Sequence, residues 1–240
     1  AATSLAADNK ARQALLSAVS HDLRTPLAAV KAAVTSLRSD EVEFSDDDQA
    51  ELLEAIEEST DRLDALVGNL LDLSRLETGT MRPHRIVFDA VAAARATMAS
   101  VSNPARVTLW EQGECLTYAD PGLLDRVLAN LLENALRHAP RGTAVVVNVA
   151  RVGQRIQVRV IDSGPGIPRS EHDRVFQPFQ RQGDAPAGDG VGLGLAVARG
   201  LAESMGATVT ADDTPGGGLT MTIDLPTDVT RTGSDRAARP

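Results

Sequence analysis

The chain has 240 residues, 42% of them hydrophobic, and a formal net charge of -9, enough for one medium domain or two small ones with real cores. A single cysteine, Cys115, permits no internal disulfide, and one cysteine with four scattered histidines gives no zinc-ligand spacing, so neither a stapled fold nor a structural metal is expected. The acidic balance argues against a nucleic-acid partner, which calls for a basic phosphate-facing patch. No apolar stretch approaches the roughly 18 to 20 residues of a membrane span, and no basic segment leads into an apolar run at the start, so this stretch of chain is expected to make no membrane contact.

In chain order, the first unit reads as two long helices around a short polar loop. Leu16, Val19, Leu23, Leu27, Val30, Val34 and Leu37 recur at spacings of three and four, the period of one apolar helical stripe. Residues 40–48 break the stripe, and Ser45-Asp46-Asp47-Asp48 resembles an N-terminal cap followed by acidic first-turn residues, which suit free backbone N–H groups and the helix dipole. A second helix carries Leu52, Ile56, Leu63, Leu66, Leu70 and Leu73 and is expected to end near Thr78 and Gly79. One helix pair cannot hide two such stripes, so two copies of the hairpin are expected to form a four-helix bundle, making the protein a homodimer. The polar segment from Thr80 to Arg85 reads as a linker.

The second unit mixes both periods. A helix over about Ala90 to Val101 precedes short strands near Val107–Trp110 and Leu116–Tyr118, and Asp120-Pro121 opens a helix reaching about Ala139. Thr143–Ala150 and Arg155–Ile161 alternate as strands around Gly153. Then come a Gly- and Pro-rich turn, a short helix near Glu171–Val175, a flexible stretch from Arg181 to Asp189, a helix from about Gly192 to Ser204, and strands near Ala207–Ala211 and Leu219–Leu225. This order implies a layered α/β sandwich with a mixed sheet. The expected domains are 1–80, 81–228 and a loose polar tail, 229–240.

His21 falls on the side of the first helix away from the apolar stripe and should face solvent. Asp22 follows it, and Thr25 lies one turn on, on the same face. An acceptor imidazole needs one nitrogen free to attack phosphorus while a carboxylate holds or takes the proton from the other, and Asp22 is the close carboxylate in sequence. Pro26 removes a backbone N–H and is expected to loosen the helix there. Ser20-His21-Asp22-Leu23-Arg24-Thr25-Pro26-Leu27 resembles the phosphoacceptor box of sensor histidine kinases. The resemblance implies that His21 carries the phosphoryl group, Asp22 accepts its proton, and Thr25 orients water for dephosphorylation of the partner.

Farther on, Asn130, Asn134 and Arg137 share one side of an otherwise apolar helix, with Glu133 and His138 beside them. An amide oxygen from Asn134 suits Mg²⁺, and a guanidinium suits phosphate. Asp162-Ser163-Gly164-Pro165-Gly166 follows a strand, so a carboxylate there can recognise the exocyclic amine of adenine while the glycines let backbone approach the base. Gly188, Gly190, Gly192 and Gly194 lead into a helix start, where N–H groups favour a triphosphate. The run lacks the lysine and hydroxyl of the P-loop. Together these segments resemble, in order, the asparagine box, first glycine box, phenylalanine box (Phe176-Gln177-Pro178-Phe179) and second glycine box of the histidine kinase ATP domain.

That resemblance implies an α/β sandwich of the histidine kinase, gyrase and chaperone type, attached to an all-α hairpin that dimerises as a four-helix bundle. It implies ATP and Mg²⁺ as cofactors, with Asn134 as metal ligand, and a nucleotide site built from Asn130, Asn134, Arg137, His138, Asp162, Gly164, Gly166, Arg181, Gly190, Gly192, Leu193, Gly194 and Thr220. Arg181 to Asp189 corresponds to a mobile lid. In Gly216-Gly217-Gly218-Leu219-Thr220, which is similar to the last glycine box, Leu219 stands where a small or hydroxyl residue is common. The implied activity is ATP-dependent autophosphorylation of His21 and transfer to an aspartate of a response-regulator receiver domain, with response-regulator phosphatase activity. The implied location is the cytoplasmic portion of a membrane-anchored bacterial sensor. Leu16–Leu37 and Leu66–Leu76 are also similar to the potassium-responsive Kdp sensor kinases of actinobacteria, implying a potassium or osmotic signal. Two other functions stay open: an ATPase of the gyrase or chaperone type with Glu133 activating water, and a dimeric scaffold that binds ATP without catalysis.

Overall fold

The computed structural model describes residues 2–39, 44–178 and 192–227, with side chains from Val19 onward. Contacts divide the chain between Asp72 and Leu73 into two compact units, the second of which runs to Pro178 and resumes at Gly194.

The first unit is built on two helices, α1 (Ala2–Leu37) and α2 (Asp46–Glu77). Ser45 caps α2 as the sequence suggests: its Oγ accepts from Asp48 N at 3.1 Å, while Asp48 Oδ2 reaches back to Ser45 N at 3.2 Å, a reciprocal box that satisfies two otherwise free donors. The other end stops at Gly79, whose φ of 63° is left-handed. There Gly79 N donates to Leu76 O and Thr80 N to Arg75 O, the paired bonds that consume the last helical carbonyls.

Burial on α1 departs from the single stripe expected. Val19, Asp22, Pro26 and Ala33 are buried, whereas Leu27 is 59% and Val34 38% exposed. On α2, Leu52, Ile56, Ser59, Leu63, Leu66 and Leu70 are half-buried and recur every three or four residues, while Leu53, Val67 and Leu71 are exposed. Each helix therefore carries two apolar sets, and only one is covered within the protomer.

The second unit is a mixed five-stranded sheet, ordered β2-β4-β5-β7-β6, beside a two-stranded ribbon of β1 and β3. The strands are β1 (Ile86–Asp89), β2 (Val107–Gln112), β3 (Leu116–Ala119), β4 (Val145–Val152), β5 (Arg155–Ile161), β6 (Thr208–Asp213) and β7 (Leu219–Pro226). Only the β2–β4 pair is parallel; the other neighbours run antiparallel. Helices α3 (Ala90–Ser100), α4 (Pro121–His138) and α5 (Gly194–Ser204) complete the layer. Alternate residues of β4, β5 and β7 are buried, among them Val145, Val147 and Val149 of β4 and Met221, Ile223 and Leu225 of β7. They join Leu124, Leu128, Leu131 and Leu132 of α4 and Val197 and Leu201 of α5 in one core, so this unit has the expected α/β sandwich form.

Two elements differ from the sequence expectation. The short helix expected near Glu171–Val175 is two 3-10 turns, Arg169–Glu171 and Arg174–Phe176, because the stretch between Pro168 and Pro178 is too short to offset helix nucleation. Strand β1 escapes a periodicity reading because so short a segment shows no period. The segment read as a linker makes fixed contacts at its end, a detail the sequence does not carry, with His84 N donating to Asp120 Oδ2 at 2.6 Å and Arg85 Nη2 to Ser204 O at 2.9 Å. The stretch expected to be flexible, 181–189, and the tail from 229 lie outside the described residues.

Candidate functional site

His21 stands on α1 with its side chain 53% exposed, and its Nδ1 lies 2.9 Å from Oδ1 of Asp22, whose own side chain is only 4% exposed. A carboxylate can only accept, so Nδ1 carries the proton and Nε2 keeps its lone pair toward solvent. The buried carboxylate thus fixes the tautomer as well as the ring direction. Thr25, exposed one turn on, donates from Oγ to the His21 carbonyl at 3.4 Å. Pro26 brings no N–H for the carbonyl of Asp22 four residues earlier, and its own ring is buried.

In the second unit the strand β5 ends beside Asp162, which is 4% exposed. Its Oδ1 accepts from Gly164 N at 2.8 Å and Leu219 N at 3.2 Å, and its own N–H donates to Leu219 O at 3.0 Å. Oδ2 takes no hydrogen bond among the described residues, so two backbone donors hold the carboxylate still and leave one oxygen for a ligand. Leu219, the residue that departs from the usual glycine-box pattern, turns its side chain into the core, 6% exposed, and its backbone serves Asp162 instead. Thr220, next on β7 and opposite Ile161, is half-buried with its Oγ 2.9 Å from Thr214 Oγ.

The glycines around Asp162 are required by approach distance. A Cβ on Gly164 would lie 2.8 Å from the His138 carbonyl, one on Gly166 3.0 Å from the Gly218 carbonyl, and one on Gly218 2.0 Å from the Asp162 carbonyl. The end of α4, the loop after β5 and the glycine turn before β7 therefore interlock backbone to backbone. Outside them a hollow of about 390 Å³ is lined by Pro165, Gly166, Ile167, Thr214, Gly217 and Asp213 among others. At its rim Arg169 Nε meets Asp213 Oδ2 at 2.8 Å and His172 Nε2 lies 3.3 Å from Oδ1. The hydrogen bond from Arg169 holds the Asp213 carboxyl below its ordinary range, partly opposed by burial, and the same bond raises Arg169. Away from this region, burial first and then the charges of Asp89 and Glu111 push the Cys115 thiol up.

On α4, Asn130 Nδ2 donates to the Arg126 carbonyl at 2.9 Å, and its Oδ1 lies 2.8 Å from where a Gly194 Cβ would stand, at the first turn of α5. Asn134 is half-buried, and its amide makes no hydrogen bond to any described residue. Such an oxygen donor fits a hard cation. Arg137 and His138 are exposed in the last turn. Glu133 is differently engaged, accepting from Ser102 N and Ser102 Oγ, both at 2.9 Å. Gly192 has a φ of 69°, and Leu193 beside it is 2% exposed. Arg181 and Gly190 lie outside the described residues. Phe176 is buried, with the Arg199 guanidinium 4.0 Å above its ring.

The structure thus brings Asp162, Gly164, Gly166, His138 and Thr220 to one end of the sheet, and Asn130 to Gly194. Sequence reasoning missed the part of Gly218 and of the Leu219 backbone, since three successive glycines look alike on paper. It also missed Arg106, whose guanidinium reaches the end of α4 from a 3-10 turn far along the chain and carries no motif to mark it. Among the described residues no helix is long and apolar enough to cross a membrane, and no group of three or more His, Cys, Asp or Glu side chains forms a metal cluster.

Residues 119–229 match the family of histidine kinase-, DNA gyrase B- and HSP90-like ATPases, and residues 11–79 match the His kinase A phospho-acceptor domain. The sensor protein KdpD of Mycobacterium tuberculosis is 52% identical over 93% of this chain and 27% of its own length. KdpD of Rathayibacter rathayi is 40% identical over 92% of this chain and 26% of its own. The signal transduction histidine-protein kinase AfsQ2 of Streptomyces coelicolor is 35% identical over 93% and 43%. The chain accordingly spans from about a quarter to less than half of these relatives. In fold it resembles the Acinetobacter baumannii histidine kinase AdeS, with a TM-score of 0.62 at 23% identity over 87% of this chain and 98% of that one.

Proposed function

Because this chain belongs to the sensor histidine kinases, carrying their phosphoacceptor and ATP-binding domains, we propose that it uses ATP to phosphorylate His21 and passes the phosphoryl group to an aspartate of a response-regulator receiver domain. Residues 1–80 then serve dimerisation and phosphotransfer, and 81–228 bind the nucleotide. The observation that most supports this is the 2.9 Å pairing of His21 Nδ1 with the buried Asp22 carboxylate, which leaves Nε2 as an exposed nucleophile.

In that step the Nε2 lone pair forms the N–P bond to the γ-phosphorus while the P–O bond to ADP breaks. Asp22 holds or takes the Nδ1 proton as positive charge develops on the ring. Adenine is recognised by Asp162 Oδ2, which accepts from the exocyclic amine. Asn134 holds Mg²⁺, whose chemistry when bound is to neutralise phosphate charge, and Arg137 meets phosphate directly. Thr25, on the solvent side of α1, orients water when phosphate is removed from the receiver aspartate. The whole protein, longer than this chain, is anchored to a membrane and answers a potassium or osmotic signal, a reading that rests on the KdpD relatives. The engagement of Glu133 with Ser102 gives no support to the gyrase-type alternative, in which that carboxylate would activate water.

Incubation with ATP labelled at the γ-phosphate tests the proposal. Acid-labile, base-stable label should appear on the protein and vanish in His21→Gln, while that variant still binds ATP. Stoichiometric labelling of His21→Gln would overturn the reading, and so would release of free phosphate with no label on the unaltered chain.

A further inference from the structure

Arg106 closes the 3-10 turn Pro104–Arg106 just ahead of β2, yet all its side-chain bonds go elsewhere. Nε donates to Thr143 O at 3.2 Å, Nη1 to Leu136 O at 3.2 Å, and Nη2 to Ala139 O at 3.2 Å and Pro140 O at 3.0 Å. All four acceptors lie in the last turn of α4 or the loop that leaves it. A helix end leaves its final carbonyls without intrahelical partners, and here Pro140 cannot supply an N–H to them. A planar guanidinium satisfies several at once and places a positive charge at the negative end of the helix dipole. Backbone donors reach only part of this end, Ala139 N giving to Ala135 O at 2.8 Å and Thr143 N to Pro140 O at 3.1 Å, while the guanidinium serves Leu136 O and Ala139 O.

The turn held in this way carries the nucleotide residues Arg137 and His138 and follows directly on Asn134. Its His138 carbonyl also stands 2.8 Å from the position of a Gly164 Cβ, so the last turn of α4 forms one wall of the loop that starts at Asp162. That packing admits little slack: movement of the turn toward the loop meets backbone, and movement away opens the wall and carries Arg137 with it.

We propose that Arg106 is a positioning residue for the nucleotide, setting the last turn of α4 at the distance from the Asp162–Gly166 loop that ATP requires. The proposal rests on reading this unit as the ATP site. Loss of Arg106 should therefore weaken nucleotide binding beyond what loss of stability explains. Lysine in its place keeps the charge but cannot serve four separated carbonyls.

The test is calorimetric titration of the full chain with the Mg²⁺ complex of a non-hydrolysable ATP analogue, at a temperature where circular dichroism shows every variant folded. Arg106→Lys and Arg106→Ala should bind about tenfold more weakly or worse, as expected when a charge-assisted contact is displaced. Arg155→Ala, which loses the 2.8 Å pair with Asp224 at the far end of β5, should bind within about twofold of the unaltered chain at a similar loss of melting temperature. Millimolar guanidinium should restore binding to Arg106→Ala and leave Arg155→Ala unchanged. If Arg106→Ala does not fold, Arg106→Lys decides the matter. Unchanged affinity in a folded Arg106 variant, or a loss no greater than that of Arg155→Ala, overturns the proposal while the ATP site stands. Failure of the unaltered chain to bind the analogue overturns the site and the proposal together.

Discussion

Asp22 and Asp162 are both buried carboxylates, and each is held by a different kind of partner. Asp22 has its imidazole partner beside it in sequence, so the pairing is legible there; Asp162 is fixed by backbone N–H groups from Gly164 and from Leu219, far along the chain. Asp22→Asn retains an oxygen for Nδ1–H but removes the negative charge that stabilises the ring as it becomes cationic. Labelling of His21 should then slow by about a hundredfold, the lower range of general-base effects, with ATP affinity unchanged; equal labelling rates would remove Asp22 from the mechanism. The three glycines before Leu219 offer a sharper contrast. Gly216 and Gly218 have φ values of 92° and 112°, but an added Cβ meets nothing within 4 Å at Gly216 and the Asp162 carbonyl at 2.0 Å at Gly218. Gly216→Ala should cost roughly 1 to 2 kcal/mol of backbone strain in urea unfolding, and Gly218→Ala at least about twice that, with loss of the Asp162 geometry. The sequence alone could not rank these two, because the distinction lies in a neighbour more than fifty positions away in the chain.

Helix existence is legible in periodicity, and most strands in alternation, because those signals are local. What periodicity does not carry is the identity of the neighbour. Leu76, in the last turn of α2, belongs by spacing to the hairpin stripe; it packs against the core of the nucleotide-binding unit, and a Cβ on Gly200 of α5 would come within 2.6 Å of its Cδ1. Gly200 is therefore a glycine by close approach, sitting inside a helix where it costs roughly 1 kcal/mol relative to alanine in propensity. Gly200→Ala gains that propensity and pushes Leu76 out of place; Leu76→Ala alone leaves a void. The double variant should recover stability relative to the sum of the single changes, with a coupling of about 0.5 to 3 kcal/mol in a double-mutant cycle by urea unfolding. Strict additivity would show that Leu76 moves aside without cost.

At the scale of the molecule, the two hairpin helices leave a set of apolar residues without cover among the described residues. Leu27 and Val34 on α1, and Leu53, Val67 and Leu71 on α2, are between 38% and 59% exposed, while the half-buried series on α2 runs along Leu52, Ile56, Leu63 and Leu66. A stripe wide enough for one partner helix would not include both series, which is why two stripes on one hairpin call for a second hairpin. The nucleotide-binding unit closes one continuous core of its own, and its exposed apolar residues, Val87, Trp110 and Val152 among them, lie on strands or their ends rather than along a helical stripe. Dimerisation and nucleotide binding should then separate. Leu53→Glu with Val67→Glu places two carboxylates per copy in the expected interface, where each leucine or valine would otherwise contribute roughly 1.5 to 3 kcal/mol by burial. Sedimentation equilibrium should find the unaltered chain dimeric at micromolar concentration and the double variant monomeric, its association weakened by at least about a hundredfold. ATP affinity of the double variant should be unchanged, because neither residue belongs to the unit that holds Asp162 and Asn134. A double variant that stays dimeric would place the interface elsewhere, and one that loses ATP binding as well would show that the two units do not fold apart.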